Sequence, residues 1–121
     1  GNWLYEDGYR SCMELLSLPS PPTAIFSMSD LMAYGAVNAA YDQGLQIPGD
    51  ISIHGFDDLD LSTFIRPALS TVHLPLREMG LKAAEVMIHI LENEPVPDDE
   101  RGILLPCTIV PRSSIRENPM E

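Results

Sequence analysis

Three aspartates follow a short apolar run near the middle of the chain, and they are the side chains best suited to do chemistry. Asp57, Asp58 and Asp60 come directly after the run over 51–56. An ionised carboxylate only accepts hydrogen bonds, and its two oxygens can take two adjacent hydroxyl groups of a ligand. Hard metal ions also bind clustered carboxylates, but this cluster lacks the glycine-containing twelve-residue loop of a calcium site. The pattern therefore favours recognition of a polar organic ligand over a metal.

The elements around this run determine where its aspartates lie. A continuous apolar run that follows the turn signal Pro48-Gly49-Asp50 is typical of a parallel strand covered by helices on both faces. In open parallel sheets, ligands bind beyond the carboxyl ends of the strands. Asp57 is therefore predicted at the ligand-binding edge, whereas Asp58 and Asp60 are interpreted as caps of the following turn.

The remaining reactive side chains form no catalytic or metal-binding pattern. His54, His73 and His89 are scattered without the spacing of metal ligands, and His54 is interpreted as a hydrogen-bonded core histidine. Neither a nucleophile-elbow motif nor a glycine-rich phosphate loop is present. Paired glycosidase carboxylates stay open as an alternative, although nothing in the sequence indicates a proton donor in an apolar pocket. We therefore expect no enzyme, no cofactor and no metal.

Composition narrows the class of protein. With 121 residues, 45% of them hydrophobic, the chain can build one soluble domain with a real core. Its net charge of -11 repels phosphate backbones, so the chain alone is a poor nucleic-acid binder. Cys12 and Cys107 form no CxxC pair and are interpreted as buried or half-buried thiols of a reducing compartment, with a disulfide as the less favoured alternative.

Hydrophobic periodicity and chain breakers predict alternating helices and strands. A strand, a helix and a strand within about 30 residues form a βαβ unit. The predicted fold is α/β, a three-layer α/β/α arrangement with a mainly parallel sheet. The predicted elements are a helix over 3–18, a strand over 23–28, a helix over 31–43, a strand over 51–56, a short helix or turn over 59–65, a strand over 69–74, a helix from 75 to about 93 and an interrupted strand over 103–110.

Several landmarks recur together in an order that resembles a known family. They are Ser29-Asp30 opening a small-residue helix, the segment over 44–50 before a strand, the strand end Gly55-Phe56-Asp57-Asp58, the stretch over 67–72, the run over 75–80, and the late Leu105-Pro106 with Val110, Arg112 and Ser114. Over essentially the whole chain, this set resembles the effector-binding core of the lactose/galactose repressor (LacI/GalR) family of bacterial transcription regulators.

The resemblance implies a two-lobed fold like that of periplasmic sugar-binding proteins, of which this chain would hold most of the C-terminal lobe. Residues 1–111 are expected to be this partial effector-binding domain, and residues 112–121 a frayed tail. In relatives the stretch matching about 72–93 belongs to the other lobe. The family also implies a helix-turn-helix that binds operator DNA, which lies outside these residues, so DNA would be a partner only through that part.

The resemblance assigns effector-binding roles to four positions. Asp57 matches an aspartate that accepts hydrogen bonds from effector hydroxyl or base N–H groups. Trp3 matches an aromatic residue that lies against the effector ring, with ordinary packing or fraying of the chain end as the alternatives. Ser29 stands where several relatives carry Asn, and N-capping is its alternative. Leu76 matches a position that is aromatic in some relatives, and Asp30 is interpreted as a structural cap.

A two-fold interface is also implied by the resemblance, between the helix matching 31–43 and the segment matching 59–66. Tyr34, Tyr41, Phe64 and Ile65 are the large side chains available there, and aromatic residues are enriched in such interfaces. Packing within the chain's own core is the alternative for each. The amphipathic helix over 76–91 is expected either to fold back onto the sheet or to cover a neighbouring chain.

The expected function is therefore the ligand-sensing and dimerising part of a cytoplasmic transcription regulator, a repressor that responds to a small molecule such as a sugar. The alternative is a periplasmic sugar-binding component of a transporter, which shares the fold. The regulator-type landmarks favour the first. The effector, and whether it induces or co-represses, stay open.

Overall fold

The computed structural model describes residues 3–92, 95–96 and 102–117 of the chain. The chain divides into two units: the first runs through residue 73 and resumes at residue 109, and the second is Leu74–Thr108. The elements of the described residues are α1 (Tyr5–Leu16), β1 (Ala24–Phe26), α2 (Asp30–Asp42), β2 (Ser52–His54), α3 (Leu61–Phe64), β3 (Thr71–His73), α4 (Leu76–Leu91) and β4 (Thr108–Val110).

Parallel strands form the centre of the first unit. β1 and β2 pair in parallel with Phe26 opposite His54, as the predicted βαβ unit requires. Isolated parallel bridges from His54 to Ser70 and from Asp57 to His73 place β3 on the other side of β2. β4 is in turn the hydrogen-bonded neighbour of β3. The alternation of helices with parallel strands confirms the predicted α/β class.

α1 and α2 pack so closely that glycine is required on both helices. A Cβ atom on Gly8 would lie 2.0 Å from the carbonyl oxygen of Met32, and one on Gly35 would lie 2.1 Å from that of Tyr5. The small residues of α2 thus allow the backbones of the two helices to approach each other closely. Together with α2, strand β2 supplies most of the buried apolar core, which includes Ala33, Ala36, Val37, Ala39, Ala40, Ile51, Ile53 and Leu69.

The second unit has a different character, because no residue of its long helix is buried. Most apolar side chains of α4 are exposed, and cover by a neighbouring chain stays a prediction. Among the described residues, no helix combines the length and apolar composition that crossing a bilayer demands.

Most predicted elements are present but shorter than expected. α1 begins at Tyr5 rather than at residue 3, and Trp3 has a positive φ of 62° that a helix does not allow. β4 is confined to 108–110, and Pro106 lacks the N–H group that a longer strand needs. α4 ends at residue 91, and the predicted end near Asn93 lies outside the described residues.

The expectation of a frayed tail is wrong for residues 112–114. The backbone N–H of Arg112 donates to Ser70 Oγ at 2.8 Å. Ser114 is fully buried, and its hydroxyl donates to the Ile53 carbonyl at 2.6 Å. The polar composition of this segment indicated fraying. The sequence could not show otherwise, because the partners of these hydrogen bonds lie far away along the chain. The predicted division into 1–111 and a tail is otherwise untested.

Candidate functional site

A cavity of about 520 Å³ opens at the carboxyl ends of β1 and β2 in the first unit. Three of the four predicted effector-binding residues, Trp3, Ser29 and Asp57, line it together. The fourth, Leu76, begins α4 in the second unit and is 58% exposed. Contact of all four with an effector stays a prediction. This Asp57 cavity is lined by Trp3, Phe26, Met28, Ser29, Leu31, Phe56 and Asp57.

Ser29 occupies the junction between β1 and α2. Its backbone is extended, and its Oγ accepts a hydrogen bond from the Met32 N–H at 3.2 Å, so the N-cap alternative is confirmed. A capping hydroxyl of this kind satisfies one of the free N–H groups of the first helical turn. Because the Ser29 side chain also lines the cavity, its remaining hydroxyl proton can be donated to a ligand.

Asp57 and Asp58 form a turn with an unusual backbone. Both have positive φ values, 118° and 57°, a region that costs a residue with a side chain about 1 to 2 kcal/mol and that aspartate tolerates better than most. The pKa of Asp57 is raised, first by burial and then by the charge of Asp30, against a smaller lowering by the Asp30 backbone N–H. Burial therefore removes part of the solvation of this carboxylate, and hydrogen bonds from a ligand's hydroxyl groups would replace it.

Asp58 does not cap the turn, which corrects the prediction. Its Oδ1 accepts from Arg112 Nη2 at 2.5 Å, and its Oδ2 lies 3.0 Å from His73 Nδ1. Burial acts to raise the pKa of Asp58, but the hydrogen bonds and charges of Arg112 and His73 outweigh it and hold that pKa below its usual value. Asp60 also makes no side-chain cap, although its carbonyl oxygen accepts from the Thr63 hydroxyl at 2.8 Å. The described residues contain no cluster of three or more potential metal ligands.

Asp30 is the residue whose importance the sequence did not reveal, because a cap explained it equally well. Its carboxylate is fully buried. Oδ1 accepts from the Thr71 hydroxyl at 2.6 Å, and Oδ2 accepts from the Ser62 hydroxyl at 2.6 Å and from the Leu59 N–H at 2.8 Å. A buried charge needs such partners. Asp30 thereby ties the start of α2 to β3 and to the segment after the Asp57–Asp58 turn.

Aromatic rings beside the cavity were also missed. Phe26 is 61% exposed, stacks on His54 at 5.4 Å and meets Phe56 edge-on at 6.4 Å. His54 is half-buried with Nδ1 2.8 Å from the Gly55 carbonyl oxygen, so it is hydrogen-bonded as expected but lies outside the core. The alternation of Phe26 and Met28 at the end of β1 could have indicated that both point to one face.

The four candidate interface residues divide into two groups. Tyr34 is buried, with its hydroxyl 2.8 Å from Ser62 Oγ, and Ile65 packs against the core. Core packing, the alternative, therefore describes these two. Tyr41 donates its hydroxyl to the Arg66 carbonyl at 2.9 Å with a partly exposed ring, and Phe64 is 73% exposed. An interface at these residues stays a prediction.

The two cysteines are free. Cys12 is buried as expected, its S–H donates to the Ala36 carbonyl at 3.5 Å, and burial raises the pKa of the thiol. Cys107 is exposed, which contradicts the expectation that both thiols are at least half-buried. The prediction for Cys107 failed because apolar neighbours along the sequence do not ensure that a side chain is buried in the folded protein.

Comparison with known proteins decides the family. Residues 3–115 match the family described as periplasmic binding protein-like domain. The chain belongs to this family. The periplasmic-binding-protein-like fold that the sequence landmarks implied is thereby confirmed.

Relatives of this periplasmic-binding-protein-like chain are transcriptional regulators. The HTH-type transcriptional repressor CytR of Escherichia coli (strain K12) is 40% identical over 119 residues, which are 98% of this chain and 34% of CytR. The ribose operon repressor of the same organism is 38% identical over 106 residues, 88% of this chain and 32% of that repressor. The chain thus spans about a third of the length of these curated relatives.

A solved structure agrees with this assignment. The lac repressor dimer bound to operator and the anti-inducer ONPF is 30% identical, with a TM-score of 0.85 over 95% of this chain and 39% of the repressor chain. The resemblance to the effector-binding core of LacI/GalR-family regulators is confirmed by these matches.

Proposed function

We propose that this chain is the ligand-sensing part of a bacterial transcription repressor, and that a small polar molecule such as a sugar binds in the Asp57 cavity. One observation carries the proposal: a carboxylate, a hydroxyl and an indole converge where two parallel strands end. Asp57, Ser29 and Trp3 all line that cavity. In open parallel sheets, this edge is where ligands bind.

Each side chain has a distinct task in this proposal. The Asp57 carboxylate accepts hydrogen bonds from two neighbouring hydroxyl groups of the ligand. Ser29 donates its hydroxyl proton, since its oxygen already accepts from the Met32 N–H. Trp3 and Phe26 cover the apolar face of a sugar ring or stack on a planar ring. Contact between Leu76 and the effector stays a prediction. None of these tasks requires bond cleavage, so no catalytic role is proposed.

The proposal for the complete protein extends the same reasoning. Residues 72–93 would belong to a second lobe, and ligand binding between lobes would shift a cytoplasmic dimer between states with different operator affinity. The names of the relatives support a repressor over a transporter component, since CytR, the ribose operon repressor and the lac repressor are all repressors. The name of the ribose operon repressor supports a sugar-like effector.

Calorimetry on the complete regulator tests the effector site. D-Ribose, lactose and adenine serve as probes, and we expect one of them to bind and to change the affinity for operator DNA. Asp57→Asn should weaken that binding about tenfold or more, because the charged acceptor is lost. The matched control is Asp60→Asn, since the Asp60 side chain makes no capping bond. Absence of binding by every probe, with no change in operator affinity, would contradict the proposal.

Dimerisation is tested separately. Phe64 is the most exposed of the four candidate interface residues, so Phe64→Asp should raise the dissociation constant of the dimer at least about tenfold by placing a charge in an apolar contact. Sedimentation equilibrium measures this constant. Tyr34→Phe is the control, because its ring is buried in its own chain and should leave dimerisation unchanged.

A further inference from the structure

The Asp57–Asp58 turn has an unfavourable backbone that its own hydrogen bonds restrain only in part. Both residues have positive φ values, which side-chain-bearing residues seldom adopt. The Asp57 N–H donates to the Val72 carbonyl at 3.0 Å, and the Asp58 N–H donates to Thr71 Oγ1 at 3.3 Å. The second bond is long and therefore weak. A further restraint is needed to explain why the turn is held in this conformation.

Asp58 supplies that restraint through side chains far along the chain. Arg112 Nη2 donates to its Oδ1 at 2.5 Å, and His73 Nδ1 lies 3.0 Å from its Oδ2. Arg112 is held in place in turn, because Nη1 donates to the Leu69 carbonyl at 2.7 Å and its backbone N–H donates to Ser70. The Arg112 and Asp58 side chains are only 17% and 18% exposed, so salt screens this pair less than a surface pair.

We propose that Asp58 and Arg112 form a clamp that positions the Asp57 carboxylate, and that effector affinity depends on this clamp although neither residue lines the cavity. The inference rests on the proposed function of the Asp57 cavity. Asp58 is bonded directly to Asp57, so any rotation of the turn moves the carboxylate that faces the cavity. The lowered pKa of Asp58 supports an ionised partner for Arg112 near neutral pH.

Affinity measurements on the complete regulator test the clamp, with whichever of D-ribose, lactose and adenine the wild type binds. Asp58→Asn removes the charge but keeps a residue that tolerates positive φ, and Arg112→Gln removes the other partner. Each should weaken binding about tenfold, equivalent to about 1.4 kcal/mol. The double variant should bind no more weakly than either single variant, because both break the same interaction. Arg116→Gln removes an equal charge from an exposed residue and should change affinity less than about twofold.

Hydrogen exchange gives a second readout that needs no ligand. In the same variants, the backbone N–H groups of Asp57 and Asp58 should exchange about tenfold faster, because the turn opens more often. The Val37 N–H within α2 should keep its wild-type exchange rate, which shows that the fold is intact. Arg112→Lys keeps the charge but lacks the planar fork whose two nitrogens bond Leu69 and Asp58 separately, so it should restore only part of the protection.

Two outcomes would overturn the clamp: unchanged exchange at Asp57 and Asp58 in both single variants, or a double variant whose loss of affinity is the sum of the two single losses. A wild-type regulator that binds none of the probes would contradict the proposed function instead. The exchange rates would then decide by themselves whether Asp58 and Arg112 hold the turn.

Discussion

Two concave surfaces of nearly equal size lie in different units of this protein, and they differ in what lies beneath them. The Asp57 cavity measures about 520 Å³ and lies in the unit that contains the buried core. The second surface, which we call the α4 groove, measures about 490 Å³, and α4 contains no buried residue. The α4 groove is lined by Leu74, Pro75, Met79, Lys82, Ala83, Val86, Ile103, Leu104, Leu105 and Cys107.

Volume alone therefore does not mark a binding site. The Asp57 cavity presents one carboxylate and one hydroxyl against aromatic walls, and beneath them the buried Asp30 carboxylate joins three elements. Such fixed polar groups among apolar walls are what confer specificity on small-molecule sites. Among the described residues that line the α4 groove, the side chains are mostly apolar and Lys82 is the single charged one. Because only the first unit contains a buried core, substitutions in the two units should differ sharply in their effect on the free energy of unfolding.

The largest effect is expected at Asp30. Asp30→Ala removes the carboxylate that accepts hydrogen bonds from two hydroxyl groups and one N–H. Each such charge-assisted bond is worth about 1.5 to 3 kcal/mol, so the variant should lose about 4 kcal/mol of unfolding free energy. Urea denaturation followed by circular dichroism measures it. The control is Glu85→Ala in α4, whose exposed pair with Lys82 should be worth less than about 1 kcal/mol. Equal losses would abolish the contrast between the units.

The next largest effect on stability is expected at glycines inside two helices, Gly35 in α2 and Gly80 in α4. Gly35→Ala drives a methyl group into the Tyr5 carbonyl oxygen and should cost about 3 kcal/mol of unfolding free energy. Gly80→Ala in α4 meets no atom within 4 Å and should stabilise the protein by about 0.5 to 1 kcal/mol through helix propensity. Thermal unfolding of both variants checks this. A destabilising Gly80→Ala would show that α4 is covered.

A smaller effect is expected from pH, because Asp57 and Asp58 should change the stability of the fold in opposite directions as the pH rises. The pKa of Asp57 is raised above its ordinary 3.8, so the folded state binds that proton more tightly than the unfolded state does. The contribution of Asp57 to stability therefore falls as the pH rises from the pKa of the unfolded state to that of the folded state. The pKa of Asp58 is lowered, so its contribution is present above the unfolded value and is lost as pH falls through the folded value. Carboxyl ¹³C titration by NMR should show the two shifts in opposite directions. Shifts of the same sign would contradict the ion pair.

The smallest effect is expected on the surface of α4. Ile90 is 55% exposed, so Ile90→Ala should change the free energy of unfolding by no more than about 0.5 kcal/mol. Urea denaturation at two protein concentrations checks it. A loss of 2 kcal/mol or more that grows with concentration would mean that a second copy covers the helix.

Local sequence signals were enough to predict most elements and the position of Asp57, whereas the family resemblance implied Trp3 and Ser29, the other two predicted residues that line the cavity. Ser29 caps the start of α2, which was the alternative considered for it, and Gly44 follows the end of the helix with a φ of 75°. Asp57 was placed at the strand edge because a strand must end where its apolar run ends. Asp30 and Asp58 were misjudged, since their partners Thr71 and Arg112 lie 41 and 54 residues away.

The sequence by itself determined the order of helices and strands, the α/β class and the edge at which Asp57 lies, because propensity, periodicity and turn chemistry act over a few neighbouring residues. The family was indicated by the resemblance of a whole set of landmarks along the chain. Only the tertiary structure decided that Asp58 pairs with Arg112, that Asp30 is a buried hub, that Ser114 is covered and that α4 is not. These outcomes depend on which distant segments meet, and a hydrogen bond or a buried surface exists only after they have met.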